Sequence, residues 1–252
     1  MCMICTGEIY KEDLNTLVEL DVSYCPNLTS EKLQEILIQC KNLKELHCDN
    51  CTSLTSLDLR DNINLTELYC SECTSLTNLD LRNNINLEIL QCFSCKSLTS
   101  LDLRSNINLK MLLCSYCTSL TSIDLRSYSE GVTSFGCVNL ITFGCSYCTS
   151  LTSLDLRSNI NLIELDCFYC TSLTSLDLPK EYDGYMDRSN CPWIIQNTEF
   201  SNNLQRLIKL QRWYRKLVLI KYMKSKQFIE WVYAPNNIGG SLYKKWLLKN
   251  LK

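Results

Sequence analysis

The chain has 252 residues, 46% of them hydrophobic, with a formal net charge of -2, enough apolar material for one large domain or two small ones. With 7 Gly and 4 Pro it is neither collagen-like nor of low complexity, and no apolar run reaches the roughly 18 residues that cross a bilayer. A secreted disulfide scaffold would account for 18 Cys, but the segment Met1 to Glu8 has neither the basic start nor the apolar stretch of a signal peptide, so a reducing, cytoplasmic setting is expected.

Residues 1–13 precede the first repeating unit and read as an N-terminal cap. The chain then runs Leu17-Val18-Glu19-Leu20-Asp21-Val22-Ser23-Tyr24-Cys25-Pro26-Asn27-Leu28-Thr29. Leu33, Ile36 and Leu37 follow at helical spacing, with Ser30 suited to the N-cap of a short helix.

From there two series interleave. Leu57-Asp58-Leu59-Arg60 recurs from Leu79, Leu101, Ile123 and Leu154, and in part from Leu176, at a period of 22 residues with one step of 31. Offset by 11 is a second series, Leu46-His47-Cys48, Leu68-Tyr69-Cys70, Leu90-Gln91-Cys92, Leu112-Leu113-Cys114, Phe143-Gly144-Cys145 and Leu165-Asp166-Cys167. Each half-unit reads LxxLx[L/C]xx[N/C], a strand and turn with alternate apolar residues pointing inward. A single such coil cannot bury its apolar face, so coils must stack, and each repeated position becomes a ladder.

This pattern resembles the leucine-rich repeat. The first unit, with Cys40 closing its helical half, is similar to the cysteine-containing repeat of F-box-type proteins. The later alternation of LxC and LDLR strands resembles internalin J-type bacterial proteins with a cysteine ladder. The resemblance implies an α/β repeat fold: a leucine-rich-repeat solenoid of 22-residue, two-stranded coils over residues 14–178, with a helical C-terminal segment. The longer step reads as a loop insertion over 127–142, where Tyr128 stands in place of the turn Asn. Residues 179–201 read as a connector or cap.

Because the first unit places its helix where LDLR later stands, the cysteine series marks the inner sheet. Its outward residues change from coil to coil, whereas the LDLR side hardly varies. The candidate partner-binding residues are therefore His47, Tyr69, Gln91, Phe93, Leu113, Tyr116, Tyr147, Asp166, Phe168 and Tyr169. Aromatic anchors are enriched at interface hot spots, and rim packing is the structural alternative for these rings.

The motif C-x-x-C occurs at Cys48/Cys51, Cys70/Cys73, Cys92/Cys95, Cys114/Cys117, Cys145/Cys148 and Cys167/Cys170, a spacing that zinc sites also use. The repeat already dictates it: the first Cys takes a Leu position and the second a turn-Asn position. A ladder of small buried hydrophobes is the expectation, with no metal and no cofactor. Asn62, Asn84, Asn106 and Asn159 are expected to satisfy backbone groups at the turns, and the Asp and Arg columns of LDLR to neutralise one another.

His47 is the only histidine, and no phosphate loop, dinucleotide fingerprint or nucleophile elbow occurs, so no enzyme is expected. From Asn202 onward 12 Lys and Arg face the single acid Glu230, against 13 basic and 26 acidic residues before it. Leu207, Leu210, Tyr214, Leu217 and Ile220 make residues 202–252 a basic helical segment, read as a cap on the acidic solenoid. Calmodulin-like, nucleic-acid and membrane-surface contacts are its alternatives. The tail resembles that of repeat proteins of the mimivirus group of giant DNA viruses, which implies action in a host cytoplasm. The functional expectation is a non-enzymatic scaffold that binds a protein partner on its inner sheet and does not span a membrane. Its alternatives are a ubiquitin-ligase substrate receptor, although about 13 residues leave no room for an F-box, and a nucleic-acid binder acting through the tail.

Overall fold

The computed structural model describes residues 14–126 and 136–192, all within one unit, Met1–Asn197. The expected N-terminal cap, Tyr128 and the basic C-terminal segment lie outside the described residues.

The described chain is a parallel β-solenoid. An eight-stranded sheet is built from β1 (Glu19–Asp21), β2 (Glu45–His47), β4 (Glu67–Tyr69), β6 (Ile89–Gln91), β8 (Met111–Leu113), β10 (Thr142–Gly144), β12 (Glu164–Asp166) and β14 (Tyr185–Asp187), in that order. Its register is regular: Leu20 pairs with Leu46, Leu46 with Leu68, and Leu68 with Leu90. The LDLR side carries β3 (Ser56–Asp58), β5 (Asn78–Asp80), β7 (Ser100–Asp102), β9 (Ser122–Asp124), β11 (Ser153–Asp155) and β13 (Ser175–Asp177), which pair only as β3 with β5, β7 with β9 and β11 with β13. The two strand series of the sequence are thus the two sides of each coil, and the cysteine series forms the continuous sheet.

Only the middle residue of each three-residue strand points inward. Leu46, Leu68, Leu90, Leu112, Phe143 and Leu165 are wholly buried, as are the ladder cysteines that follow them. One helix, α1 (Ser30–Leu37), takes the second side of the first coil and buries Leu33, Ile36 and Leu37. Its N-cap is Thr29, whose side chain accepts from Lys32 N, and not Ser30. Ser30 instead accepts from the main-chain N–H groups of Thr55 and Ser56, linking the helix to the next coil.

The corners explain the polar ladders. Asn84 Nδ2 donates to the carbonyls of Leu59 at 3.1 Å and Asn62 at 2.9 Å, and Asn106 repeats this with Leu81 and Asn84. These amides satisfy carbonyls that the bend withdraws from strand pairing, which is why a buried polar residue is tolerated there. After the longer step Cys137 holds a turn position: its thiol donates to Leu103 O at 3.1 Å, and Asn159 Nδ2 donates to Cys137 O at 2.7 Å. Cys137 N also points to Leu125 O at 3.4 Å, as Asn106 N does to Leu103 O at 3.1 Å, so the coil regains its register at Cys137. A second, exposed ladder went unremarked in the sequence: Asn64, Asn86, Asn108, Asn139 and Asn161 each donate to a carbonyl one coil earlier.

Candidate binding face

The outward residues flanking the buried centre of each strand form two columns. One runs Asp21, His47, Tyr69, Gln91, Leu113, Gly144, Asp166 and Asp187; the other runs Glu19, Glu45, Glu67, Ile89, Met111, Thr142, Glu164 and Tyr185. The second column is absent from the sequence-derived set, although the two-residue strand period signals it, because both neighbours of a buried residue share the opposite face. Together the columns have acidic ends and an apolar middle, where Ile89, Met111 and Leu113 are half-buried and Phe93 is 36% exposed.

At the first end the His47 and Tyr69 rings stack at 4.5 Å and 6°. Tyr69 donates its hydroxyl to Glu67, and burial together with that carboxylate pushes its phenol well above the ordinary range. The Nε2 atom of His47 lies 3.9 Å from a carboxylate oxygen of Glu19 and of Glu45. Among the described residues this is the one place where three metal-ligating side chains converge.

Beyond the strand ends the chain turns through a left-handed residue in every C-x-x-C unit: Asn50, Glu72, Ser94, Tyr116, Tyr147 and Tyr169 all have φ between 58° and 63°. An L residue resists this conformation, so the turn imposes it. Its register is held by main-chain bonds such as Tyr116 N to Ser146 O at 2.7 Å and Tyr147 N to Phe168 O at 2.8 Å. Three successive left-handed tyrosines consequently form an aromatic row. Tyr116 and Tyr147 stack at 4.5 Å and 9°, Tyr147 meets Tyr169 at 5.0 Å, and Phe168 approaches Tyr147 at 5.3 Å and 68°.

This row borders an open cleft of about 380 Å³ lined by Ser115, Tyr116, Ser146, Tyr147, Asp166, Phe168 and Asp187. The structure thus brings Tyr116, Tyr147, Asp166, Phe168 and Tyr169 together, and places His47 with Tyr69 at the other end and Gln91, Phe93 and Leu113 between. Two turn positions beside this face are closed: Ser71 is 1% exposed and Ser146 6%. Ser71 N donates to Asp49 and the Ser146 hydroxyl to Asp166, so side chains of adjacent coils cover them. Gly144 is buried as well, because a Cβ there would lie 3.1 Å from Leu113 Cδ2.

Under this face the ladder cysteines are buried and, among the described residues, form no disulfide. The second Cys of each unit donates its S–H to the carbonyl of the first Cys one coil earlier: Cys73 to Cys48, Cys95 to Cys70, Cys117 to Cys92, Cys148 to Cys114 and Cys170 to Cys145, at 3.0–3.1 Å. The first unit follows suit, with Cys51 donating to Val22. The hydrogen-bonded thiol of Cys170 and burial both hold Cys145 above the ordinary thiol range, and burial pushes Cys137 up to about 12. Buried thiols that donate in this way act as small apolar fillers that also cap carbonyls. On the LDLR side each Arg folds back on the Asp of its own strand, as Arg82 does on Asp80 at 2.7 Å, and that hydrogen bond draws the Asp80 carboxyl down to about 2.

The family model for the BspA-type leucine-rich-repeat region matches residues 22–137 and 115–210, six copies in all. The chain belongs to the BspA-type leucine-rich-repeat family. No curated protein matches its sequence. Among solved structures, this BspA-type chain is similar to the functional domain of internalin J of Listeria monocytogenes, described as including a cysteine ladder, at 27% identity over 66% of this chain and 44% of that one, with a TM-score of 0.35. The BspA-type chain therefore spans less than half the length of that internalin domain. It is also similar to a leucine-rich-repeat protein of Leptospira interrogans at 17% identity, covering 60% of this chain and 52% of that one, TM-score 0.29. An internalin from L. monocytogenes follows at 16% identity, 69% and 83% coverage and a TM-score of 0.18. Leucine-rich-repeat solenoids of this kind generally mediate protein–protein interaction and are typically non-enzymatic.

Proposed function

We propose that this chain is a binding scaffold that holds a protein partner on its eight-stranded sheet and runs no reaction. The observation that carries the proposal is the contrast between the two sides of the coil. The LDLR side repeats self-satisfied Arg–Asp pairs, whereas the sheet presents residues that change along the solenoid, from His47 and Tyr69 through Ile89, Met111 and Leu113 to Asp166. Half-buried apolar residues flanked by charge match the usual anatomy of an interface, a desolvated centre with a polar rim. Its acidic ends favour a partner with basic flanks. A ladder of protonated thiols suits a reducing compartment.

The test places a photo-crosslinking residue at Met111 on the sheet and, in a second protein, at Arg82 on the other side, in the cell that naturally makes the chain. Protein adducts are expected from Met111 and not from Arg82. Adducts from Arg82 alone, or from neither position, would contradict the proposal.

A further inference from the structure

We propose that Glu19, Glu45 and His47, on strands β1 and β2 at the first end of the sheet, bind a divalent transition-metal ion of the Zn²⁺ class; the inference stands apart from the partner-binding reading. Glu19 pairs in register with Glu45 across the two parallel strands, and Asp21 with His47. Glu45 and His47 flank the buried Leu46, so their side chains share the outer face, and the stacking of coils brings Glu19 beside them. Nε2 of His47 lies 3.9 Å from a carboxylate oxygen of each Glu, and one ligand atom from each of the three residues falls within 4.8 Å of the others.

The imidazole nitrogen needs a partner. The His47 side chain is 28% exposed, yet its Nε2 atom is buried and makes no hydrogen bond among the described residues. A buried polar atom left in this way is costly, and here it sits between two carboxylates. The ring plane is set by the stack on Tyr69, and Tyr69 is tied in turn through its hydroxyl to Glu67. That bond engages the next carboxylate in the column, so Glu19 and Glu45 are the pair that faces the ring. Among the described residues neither of the two has a Lys or Arg partner.

Two carboxylates and a neutral imidazole offer two negative charges and a nitrogen lone pair, which one dication satisfies together. Zn²⁺ holds His nitrogen and carboxylate oxygen at about 2.0–2.2 Å in a tetrahedron, which puts the ligand atoms about 3.4 Å apart. Closing from 3.9 Å is a short movement for Glu side chains that are 64% and 41% exposed. The nitrogen ligand selects against Mg²⁺ and Ca²⁺, which prefer oxygen throughout. Three protein ligands leave a fourth position for water or an outside donor.

The probe is Zn²⁺, titrated at pH 8 into the full chain carrying ring-labelled His. His47 is the only histidine, so a single imidazole reports, and Zn²⁺ taken up by thiols elsewhere leaves its signals in place. Zn²⁺ should shift these signals to saturation, and Mg²⁺ at the same concentration should not move them. Glu19→Gln and Glu45→Gln should each weaken Zn²⁺ at least about tenfold. Glu88→Gln, whose carboxylate is held by Lys110, should leave the affinity unchanged. The comparison of Zn²⁺ with Mg²⁺ on the unaltered chain stands even where a variant fails to fold. Unmoved ring signals, an equal response to Mg²⁺, or undiminished Zn²⁺ affinity in either Glu variant would overturn the proposal.

Discussion

Cys137 stands to Leu103 as Asn106 stands to Leu81: the thiol donates to the Leu103 carbonyl at 3.1 Å, the amide to the Leu81 carbonyl at 3.0 Å. Asn106 makes a further bond, to Asn84 O at 2.9 Å. Asn106→Ala removes the second donor from two buried carbonyls, which keep their main-chain bonds from Asn84 N and Leu87 N, and should cost about 1–3 kcal/mol, measured by urea denaturation. Cys137→Asn should leave stability unchanged or raise it by up to about 1 kcal/mol, since the amide supplies a stronger donor at the same corner. A harmless Asn106→Ala would show that the ladder does not hold the coils together.

The buried thiol at the Cys137 corner makes the fold sensitive to alkali. Cys137 has an ordinary thiol value of 9.0 when unfolded and one of about 12 when buried. The folded state keeps its proton longer, so this stabilisation is complete below pH 9 and is lost as pH rises towards 12. Denaturation midpoints should agree at pH 7 and 8, then fall at pH 10, with a shallower fall for Cys137→Ala. A thiol reagent at pH 7 should leave the ladder unlabelled until denaturant is added; rapid labelling of the native chain would contradict the buried hydrogen-bonded thiols.

The Arg–Asp pairs are neat but solvated. The side chain of Arg82 is 67% exposed, and pairs of this kind contribute little after screening. Arg82→Gln should change stability by less than about 1 kcal/mol at pH 7. The lowered Asp80 value means that its small contribution is present above pH 3.8 and fades as pH falls through 2. A large loss in Arg82→Gln would show that the LDLR side has more than a solvated, self-neutralising role.

Left-handed turns offer a gain rather than a loss. Ser94 has φ 59°. Ser94→Gly removes the Cβ penalty there, less the entropy glycine adds to the unfolded chain, and should raise stability by about 0.5–1 kcal/mol in the same urea assay. A loss would mean that the serine side chain matters more than its backbone.

The fold was legible because repetition converts a short pattern into many copies: Leu46-His47-Cys48 and Leu57-Asp58-Leu59-Arg60 each announce a strand, and their 22-residue period announces stacking. The Asn62 and Asn84 corners followed from the same logic. What escaped depended on contacts between coils. Thr29 displaced Ser30 as the cap because Ser30 is drawn to Thr55 and Ser56 in the next coil. Cys137 takes the corner that Asn159 caps, a place marked only by its bonds to the neighbouring coils. The cleft was half legible: its aromatics stood out individually, whereas the left-handed turns that align Tyr116, Tyr147 and Tyr169 have no glycine to mark them. The column from Glu19 to Tyr185 escapes a reading that takes as outward the strand residue after each centre, and Asp187 escapes it because Tyr185-Met186-Asp187 carries neither the LxC nor the LDLR pattern.

The most direct test of the central claim is affinity capture of partners with paired substitutions to Glu on the two sides of the solenoid. Met111→Glu with Leu113→Glu alters the middle of the sheet, and Arg82→Glu with Arg104→Glu alters the LDLR side, each checked for folding by circular dichroism. The account predicts that the sheet variant loses the captured protein while the LDLR variant retains it. Retention by the sheet variant together with loss by the LDLR variant would contradict it.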